Sequence, residues 1–360
     1  MIMQERISLA PLTTLGVGGV ARFFVEVHSL EDVQEALAFA RERDLPVFVL
    51  GGGSNIVVAD SGWNGLVIAP KMANLDFETQ GGRMLVTAGA GAVWDELVAE
   101  TVERGLIGIE CLSGIPGTVG GAVVANLGAY GAQCSDTFVS AEVLVRDGET
   151  EEMRVFKKEE CDFSYHDSLF SRAPGRYLIL QVTFSLALGG TSRLSYRDNR
   201  FDLSALAEQN GREPTPADVR TAVLNMRGEK GMLAGSYQSA GSFFHMPFVS
   251  AEKYASIQAQ ARAADAVKEE LLRPWAWKQP NGSYKIAGGF LLEYTEFAKG
   301  YVRAGASISP KHVLSIINAG GARARDIAEL ARDMQDAVEK KFGVRLEREV
   351  EYVGEVERAK

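Results

Sequence analysis

The chain has 360 residues, 46% of them hydrophobic and 24% charged, with a formal net charge of -9. That length exceeds the roughly 250–300 residues at which one hydrophobic core stops growing, so two or three domains are expected. The negative balance excludes a nucleic-acid backbone as the main partner, because such binding needs clustered cations, but it leaves room for a local anion site.

The opening stretch MIMQERISLAPL carries Glu5 and Arg6 where a signal peptide needs its apolar centre, so a cytoplasmic chain is expected. In SLEDVQEALAFARERD, Leu30, Val33, Leu37 and Ala40 share one helical face, with Ser29 as N-cap and Asp32 at the capping-box position. The β-type runs LPVFVL, IVVAD and NGLVIAP follow, the first two separated by GGGSN, which makes a small α/β unit over residues 1–72. A strand, a small-residue turn and a helix come next in RMLVTAGAGAVWDELVAETVERGL, with Val93, Leu97, Val98 and Thr101 expected on the buried face. Glycine and alanine fill about half of GIECLSGIPGTVGGAVVANLGAYGAQ, a composition that lets backbone pack closely against something flat or bulky. Asp147-Gly148 predicts a hairpin. The apolar run YLILQVTFSLAL is shorter than the roughly 20 residues that span a bilayer and reads as a buried strand, so no membrane partner is expected.

A second unit is thus expected over 73–212 and a third over 213–343. In the third, Thr215-Pro216 opens a helix running to about Met226. Further helices are expected at about 250–272, with Ser250 at its start, and at about 323–342, closed by Gly343. The tail VRLEREVEYVGEV alternates like a strand, and segment 344–360 is expected to rejoin the first unit. Cys111, Cys134 and Cys161 are an odd set without C-x-x-C spacing, which suits reduced structural thiols and provides no metal framework.

The three glycine clusters, at 51–53, 89–91 and 114–121, fail the dinucleotide fingerprint. GGGSN runs into a strand, and GAGAVW has Trp94 in the place of the third glycine. No cluster carries the G-K-[ST] of a phosphate loop. What remains is either a bare tight turn or a turn whose free backbone N–H groups, with the Ser54 and Asn55 side chains, bind an anion such as a pyrophosphate. Ser242, in SAGSFFHMP, lacks the G-x-S-x-G elbow of an acyl nucleophile. From the residues alone it reads as a turn or capping serine, or as a proton donor. His245 and His312 lack metal-type partners and read as ordinary polar or surface residues.

An ordered series of motifs spans nearly the whole chain: TTLGVGGVA, LGGGSNIVV, GAGAVWDELV, GIPGTVGGAVVANLGAYG, FSYHDSLF, SAGSFF, KGYVRAGASISPKH and LEREVEYVG. This series resembles the vanillyl-alcohol-oxidase-type flavoproteins and, within them, the UDP-N-acetylenolpyruvoylglucosamine reductase family. The resemblance implies an α+β fold: a two-part FAD-binding module of that type, made of 1–72 with 344–360 and of 73–212, plus an α+β substrate-binding domain. It also implies two-stage hydride transfer, from NADPH through FAD to the enolpyruvyl double bond of a UDP-sugar, by an enzyme expected to be monomeric.

Carried over residue by residue, the resemblance makes Ser242 the proton donor, Glu349 the acid that stabilises or protonates the intermediate, and His166 the occupant of the carboxylate-binding position. FAD contacts fall to Gly51, Gly52, Gly53, Ser54, Asn55, Ile56, Gly91, Ile115, Pro116, Gly117, Thr118, Gly120, Gly121, Ala122, Asn126, Gly128 and Ala129. Substrate contacts fall to Tyr130, Tyr165, Tyr196, Arg227 and Lys230. Two positions depart from the family pattern: His166 stands where arginine is usual, and Met246 where asparagine is usual. Arginine is permanently charged, whereas histidine is charged only in part near neutral pH. Three readings are therefore open. His166 acts as imidazolium, or Arg172, Arg176 or another cation covers the role, or the site has moved to another enolpyruvyl or sugar substrate or lost turnover.

Overall fold

The structure is a computed structural model that describes residues 1–148, 150–190, 192, 202–272 and 275–356. Near the N-terminus, strands Gln4–Ser8, Val20–Val27, Trp63–Pro70 and Val47–Val49 lie side by side in that order. The first pair is antiparallel and the other two are parallel. The helix Leu30–Glu42 covers this sheet with Val33, Ala36, Leu37 and Ala40. Ser29 caps it as expected, accepting from Asp32 N at 3.2 Å, while the Asp32 carboxylate takes the N–H of His28 at 2.8 Å. A cap of this kind contributes about 1 kcal/mol.

The second sheet is antiparallel, in the order Thr150–Lys157, Phe138–Asp147, Tyr177–Leu188, Arg83–Gly89, Leu75–Gln80, with Leu106–Ile107 against the end of Tyr177–Leu188. The hairpin at Asp147-Gly148 joins the first two strands, Asp147 pairing with Thr150. The helix Trp94–Glu103 buries Trp94, Leu97, Val98, Thr101 and Val102. Val93, expected on the buried face, is 45% exposed because it is the residue before the helix rather than in its first turn. Trp94 takes the anchoring place instead, its indole N–H donating to Leu112 O at 3.1 Å.

The helix Pro216–Glu229 opens at Thr215-Pro216 as expected and extends three residues past Met226. It docks through Val219, Val223 and Met226 on Cys111 and Tyr130 of the second unit. The helix expected over 250–272 is two, Ala251–Ala264 and Ala266–Leu272, broken where Asp265 is extended. The last helix, Ala324–Phe342, ends at Gly343 with φ 61°. It buries one face against short antiparallel strands and the segment holding Phe243 and Phe244.

The tail is a regular strand only over Glu351–Val353, which pairs parallel with Ile56–Val58 directly after the GGGSN loop. All three cysteines are free and buried. Among the described residues no helix is long and apolar enough to cross a membrane, and no side-chain cluster is arranged to hold a metal.

Candidate functional site

Two segments distant in sequence form the centre of the site. Phe244 and Arg348 make an antiparallel bridge, flanked by His245 N donating to Glu347 O at 2.9 Å and Glu349 N donating to Phe243 O at 3.0 Å. Phe243 and Phe244 are buried and lock the segment into the core, each contributing about 2–3 kcal/mol by leaving water. Ser242 sits at the start of this paired segment, half-buried, and its hydroxyl has no hydrogen-bond partner among the described residues. That leaves the O–H free for a ligand.

Glu349 projects from the opposite segment into a ring of polar side chains. His166 Nδ1 lies 3.4 Å from Oε1 and His245 Nδ1 lies 3.7 Å from Oε2. The Tyr165 ring packs edge-on against His166 at 4.5 Å, and Lys285 Nζ stands 3.8 Å from the Tyr165 ring centroid. Burial pushes the Glu349 carboxyl up to about 7, with the Lys285 charge opposing the rise. Burial, helped by His245 and Lys285, pushes the His166 imidazole down to about 4. Near neutral pH the site therefore keeps neutral imidazole beside a carboxyl that is protonated in part.

A two-residue turn presents Tyr165 and His166. Ser164 and Asp167 pair across it, and Asp167 is held by Ser171 Oγ at 2.7 Å and Arg172 Nε at 2.7 Å. His166 has φ 51°, at the turn position that favours glycine. A non-glycine residue there costs about 1–2 kcal/mol. Asn126, with φ 38°, and Tyr130, with φ 52°, carry the same strain, and such conformations gather at binding sites. Asn126 anchors the turn: its amide donates to Ser164 O at 2.7 Å and accepts from Ser135 N at 3.0 Å.

The glycine runs 51–53 and 114–121 face one another. A Cβ on Gly52 would come within 2.5 Å of Gly117 Cα, so the two backbones touch. Ser54 Oγ donates to Pro116 O at 3.1 Å. Between them, the backbone N–H groups of Gly51, Gly52, Gly53, Ser54 and Asn55 find no acceptor among the described residues. Successive unpaired N–H groups beside a contact where no side chain fits form a cradle for an extended anion. Asn55 ties this cradle to the acid, donating from Nδ2 to Glu349 O at 3.0 Å while its own carbonyl accepts from Glu351 N at 3.0 Å.

Residues 21–154 match the model of an FAD binding domain, and residues 234–353 match that of the UDP-N-acetylenolpyruvoylglucosamine reductase C-terminal domain. The UDP-N-acetylenolpyruvoylglucosamine reductase of Pseudomonas fluorescens (strain Pf0-1) is 39% identical over 348 residues, covering 96% of this chain and 98% of its own. That of Thermobifida fusca (strain YX) is 39% identical over 359 residues, covering 97% and 98%. The chain belongs to the UDP-N-acetylenolpyruvoylglucosamine reductase family. The solved reductase of that family from Thermus caldophilus covers 98% of this chain and 100% of its own, at 27% identity and a TM-score of 0.65.

The family match makes the chain an FAD-dependent oxidoreductase with an FAD-binding domain, and the cradle at 51–55 fits the cofactor's pyrophosphate. Around that cradle, Ile56 begins the strand that pairs with the tail, and Ile115, Pro116, Gly117 and Thr118 form the facing loop. Gly120, Gly121 and Ala122 lie in the short helix Val119–Val124 that Thr118 caps, while Gly128 and Ala129 lie in a small hairpin strand. Gly91 is taken up by a close approach to Pro70 and Lys71, where a Cβ would meet Pro70 O at 2.5 Å.

Against the reductase pattern, several expectations need correcting. Arg172 is held by Asp162 and Asp167, and Arg176 by Asp147 at 3.5 Å, so neither cation reaches the His166 position. Lys285, which the sequence did not single out, is the cation facing Glu349. The imidazolium reading of His166 meets a site that keeps this ring neutral.

His245 is not a surface residue; it is half-buried against Glu349. Arg227 is buried, with Nε donating to Gly114 O at 3.0 Å and Nη2 to Met232 O at 2.7 Å, which makes it an anchor of the glycine loop. Tyr130 and Lys230 pack together beside it, Lys230 Nζ lying 5.2 Å from the Tyr130 ring centroid. Tyr196 lies outside the described residues.

Proposed function

We propose that the chain reduces the enolpyruvyl group of UDP-N-acetylglucosamine enolpyruvate to give UDP-N-acetylmuramate, a peptidoglycan precursor, with NADPH as hydride donor, and that it works as a cytoplasmic monomer. The observation that carries this reading is the double hydrogen bond of Asn55 to the Glu349 segment, which joins an anion cradle to an acid in one rigid unit.

FAD, held by the cradle at 51–55 and the facing loop, would supply the redox chemistry that links NADPH to the enolpyruvyl double bond. In this reading residues 1–72 with 344–360, and residues 73–212, hold FAD, while 213–343 closes over the sugar nucleotide. The N–H groups of 51–55 and the facing loop 115–118 bind the pyrophosphate. The carbon next to the substrate carboxylate then carries enolate charge, and the Ser242 hydroxyl gives it a proton. A serine O–H is a weak acid, but an enolate carbon is a strong enough base to take its proton. Glu349, protonated in part near neutral pH because burial raises it, donates a hydrogen bond to the developing charge in its protonated form. His166 faces the substrate carboxylate with the Lys285 ammonium nearby, and Tyr130, Tyr165 and Lys230 line the substrate side.

The test is NADPH oxidation by the purified FAD-loaded protein between pH 5 and 9. The expected result is oxidation only after UDP-N-acetylglucosamine enolpyruvate is added. Absence of substrate-dependent oxidation at every pH contradicts the reading.

A further inference from the structure

One buried polar atom beside the acid has no hydrogen-bond partner. His245 Nδ1 is shielded from solvent and makes no hydrogen bond among the described residues, yet it lies 3.7 Å from Glu349 Oε2. The strand register accounts for the placement. With Phe244 bridged to Arg348, residues 243 and 245 point to the same side as 347 and 349, so His245 and Glu349 are diagonal neighbours. The ring is not sealed in, because the His245 side chain keeps 24% of its surface exposed. One imidazole therefore reaches from solvent to the acid. Glu349's other oxygen faces His166, at 3.4 Å.

The reduction proposed above consumes one proton per turnover, since NADPH brings only hydride. We propose that His245 carries this proton from solvent to Glu349, passing it from Nδ1 to Oε2; the inference rests on the reductase reading of the site. In the step the Nδ1–H bond breaks, the Oε2–H bond forms and imidazolium returns to neutral imidazole, with no change in electron count. Glu349 accepts the proton as the carboxylate left when its previous proton has passed to the Ser242 alkoxide, so the Ser242 O–H bond re-forms and each turnover draws one proton from solvent.

The other groups around Glu349 suit the task less well. Burial and the Glu349 charge push the Tyr165 phenol up to about 12, so it keeps its proton. Lys285 is lowered by burial but is supported as a cation by Glu349, and it stands over the Tyr165 ring. His166 is pushed down to about 4 and stays a neutral imidazole near neutrality, without the second proton a relay would pass on. His245 is lowered too, by burial first and by Lys285, but Glu347 and Asp167 both pull it back up. It is the imidazole better able to pick up a proton from water.

The test separates the two half-reactions of the FAD-loaded protein by stopped flow. In His245→Ala, reoxidation of the reduced flavin by UDP-N-acetylglucosamine enolpyruvate should slow about tenfold or more, while flavin reduction by NADPH keeps its rate. Imidazole in the buffer should restore reoxidation, and pyrrole, of the same size but without a basic nitrogen, should not. His245→Gln, which keeps polarity and volume, should hold a wild-type flavin spectrum and still reoxidise slowly. Equal slowing of both half-reactions, rescue by pyrrole as well as imidazole, or wild-type reoxidation in both variants overturns the relay. Failure of the wild-type protein to reoxidise with substrate is a separate outcome that overturns the reductase reading and the relay with it.

Discussion

At the scale of single residues, Glu349 shows most clearly how the site trades stability for chemistry. Its folded carboxyl titrates at about 7, above the ordinary value of 4.5, because burial penalises the anion. Between those two values the folded chain binds more protons than the unfolded chain. The group's contribution to stability is therefore complete below about pH 4.5 and is lost as pH rises through 7, a change of roughly 3 kcal/mol. Glu349→Gln removes the titrating group. Its thermal midpoint should exceed that of the wild-type protein at pH 8 and come close to it at pH 5, while substrate-dependent turnover falls at both. Parallel melting curves at the two pH values would contradict the assignment. Ser242 and Glu349 can be singled out from the sequence only by resemblance, because nothing in SFFH or EREV announces that the two stretches pair. His245 and Lys285 escaped for the same reason: each gains its meaning from a neighbour more than 60 residues away in the chain.

At the scale of elements, hydrophobic periodicity and capping residues located the long helices, and alternation located the strands of the second sheet. The errors fall where local signal is weak. Val93 fits the helical period but precedes the helix, since Trp94 N–H is taken by Gly117 O at 3.1 Å and the turn starts only there. Asp265 sits inside a run of good helix formers, and nothing in the run marks the break. The glycine loops were legible as turns, but their mutual contact was not. Gly52→Ala tests that contact: its Cβ would drive the 51–55 and 115–118 loops apart, an overpacking that costs about 1–3 kcal/mol. The expected outcome is an FAD affinity roughly tenfold weaker or worse, read by fluorescence titration of the apoprotein, with the circular dichroism spectrum unchanged.

At the scale of the whole molecule, the site depends on parts of the chain that meet only in the fold. The tail strand Glu351–Val353 returns to lie beside Ile56–Val58, carrying Glu349 back to the N-terminal cradle. The helix Pro216–Glu229, third-unit in sequence order, packs on the second unit and fixes the glycine loop through Arg227. Asp60 of the first unit accepts from Ala324 N at 2.8 Å and so holds the start of the last helix. These long-range ties place acid, serine and cradle in one body, which is what protonation of a carbon next to a hydride-transfer site requires. The most direct test is the isotope pattern of the product formed in D2O from unlabelled NADPH and UDP-N-acetylglucosamine enolpyruvate, read by NMR. The account predicts deuterium on the carbon bearing the carboxylate, while the methyl group takes its third hydrogen by way of the reduced flavin, whose exchangeable N–H carries either isotope. Deuterium on the terminal carbon alone, or no lactyl product, would contradict it.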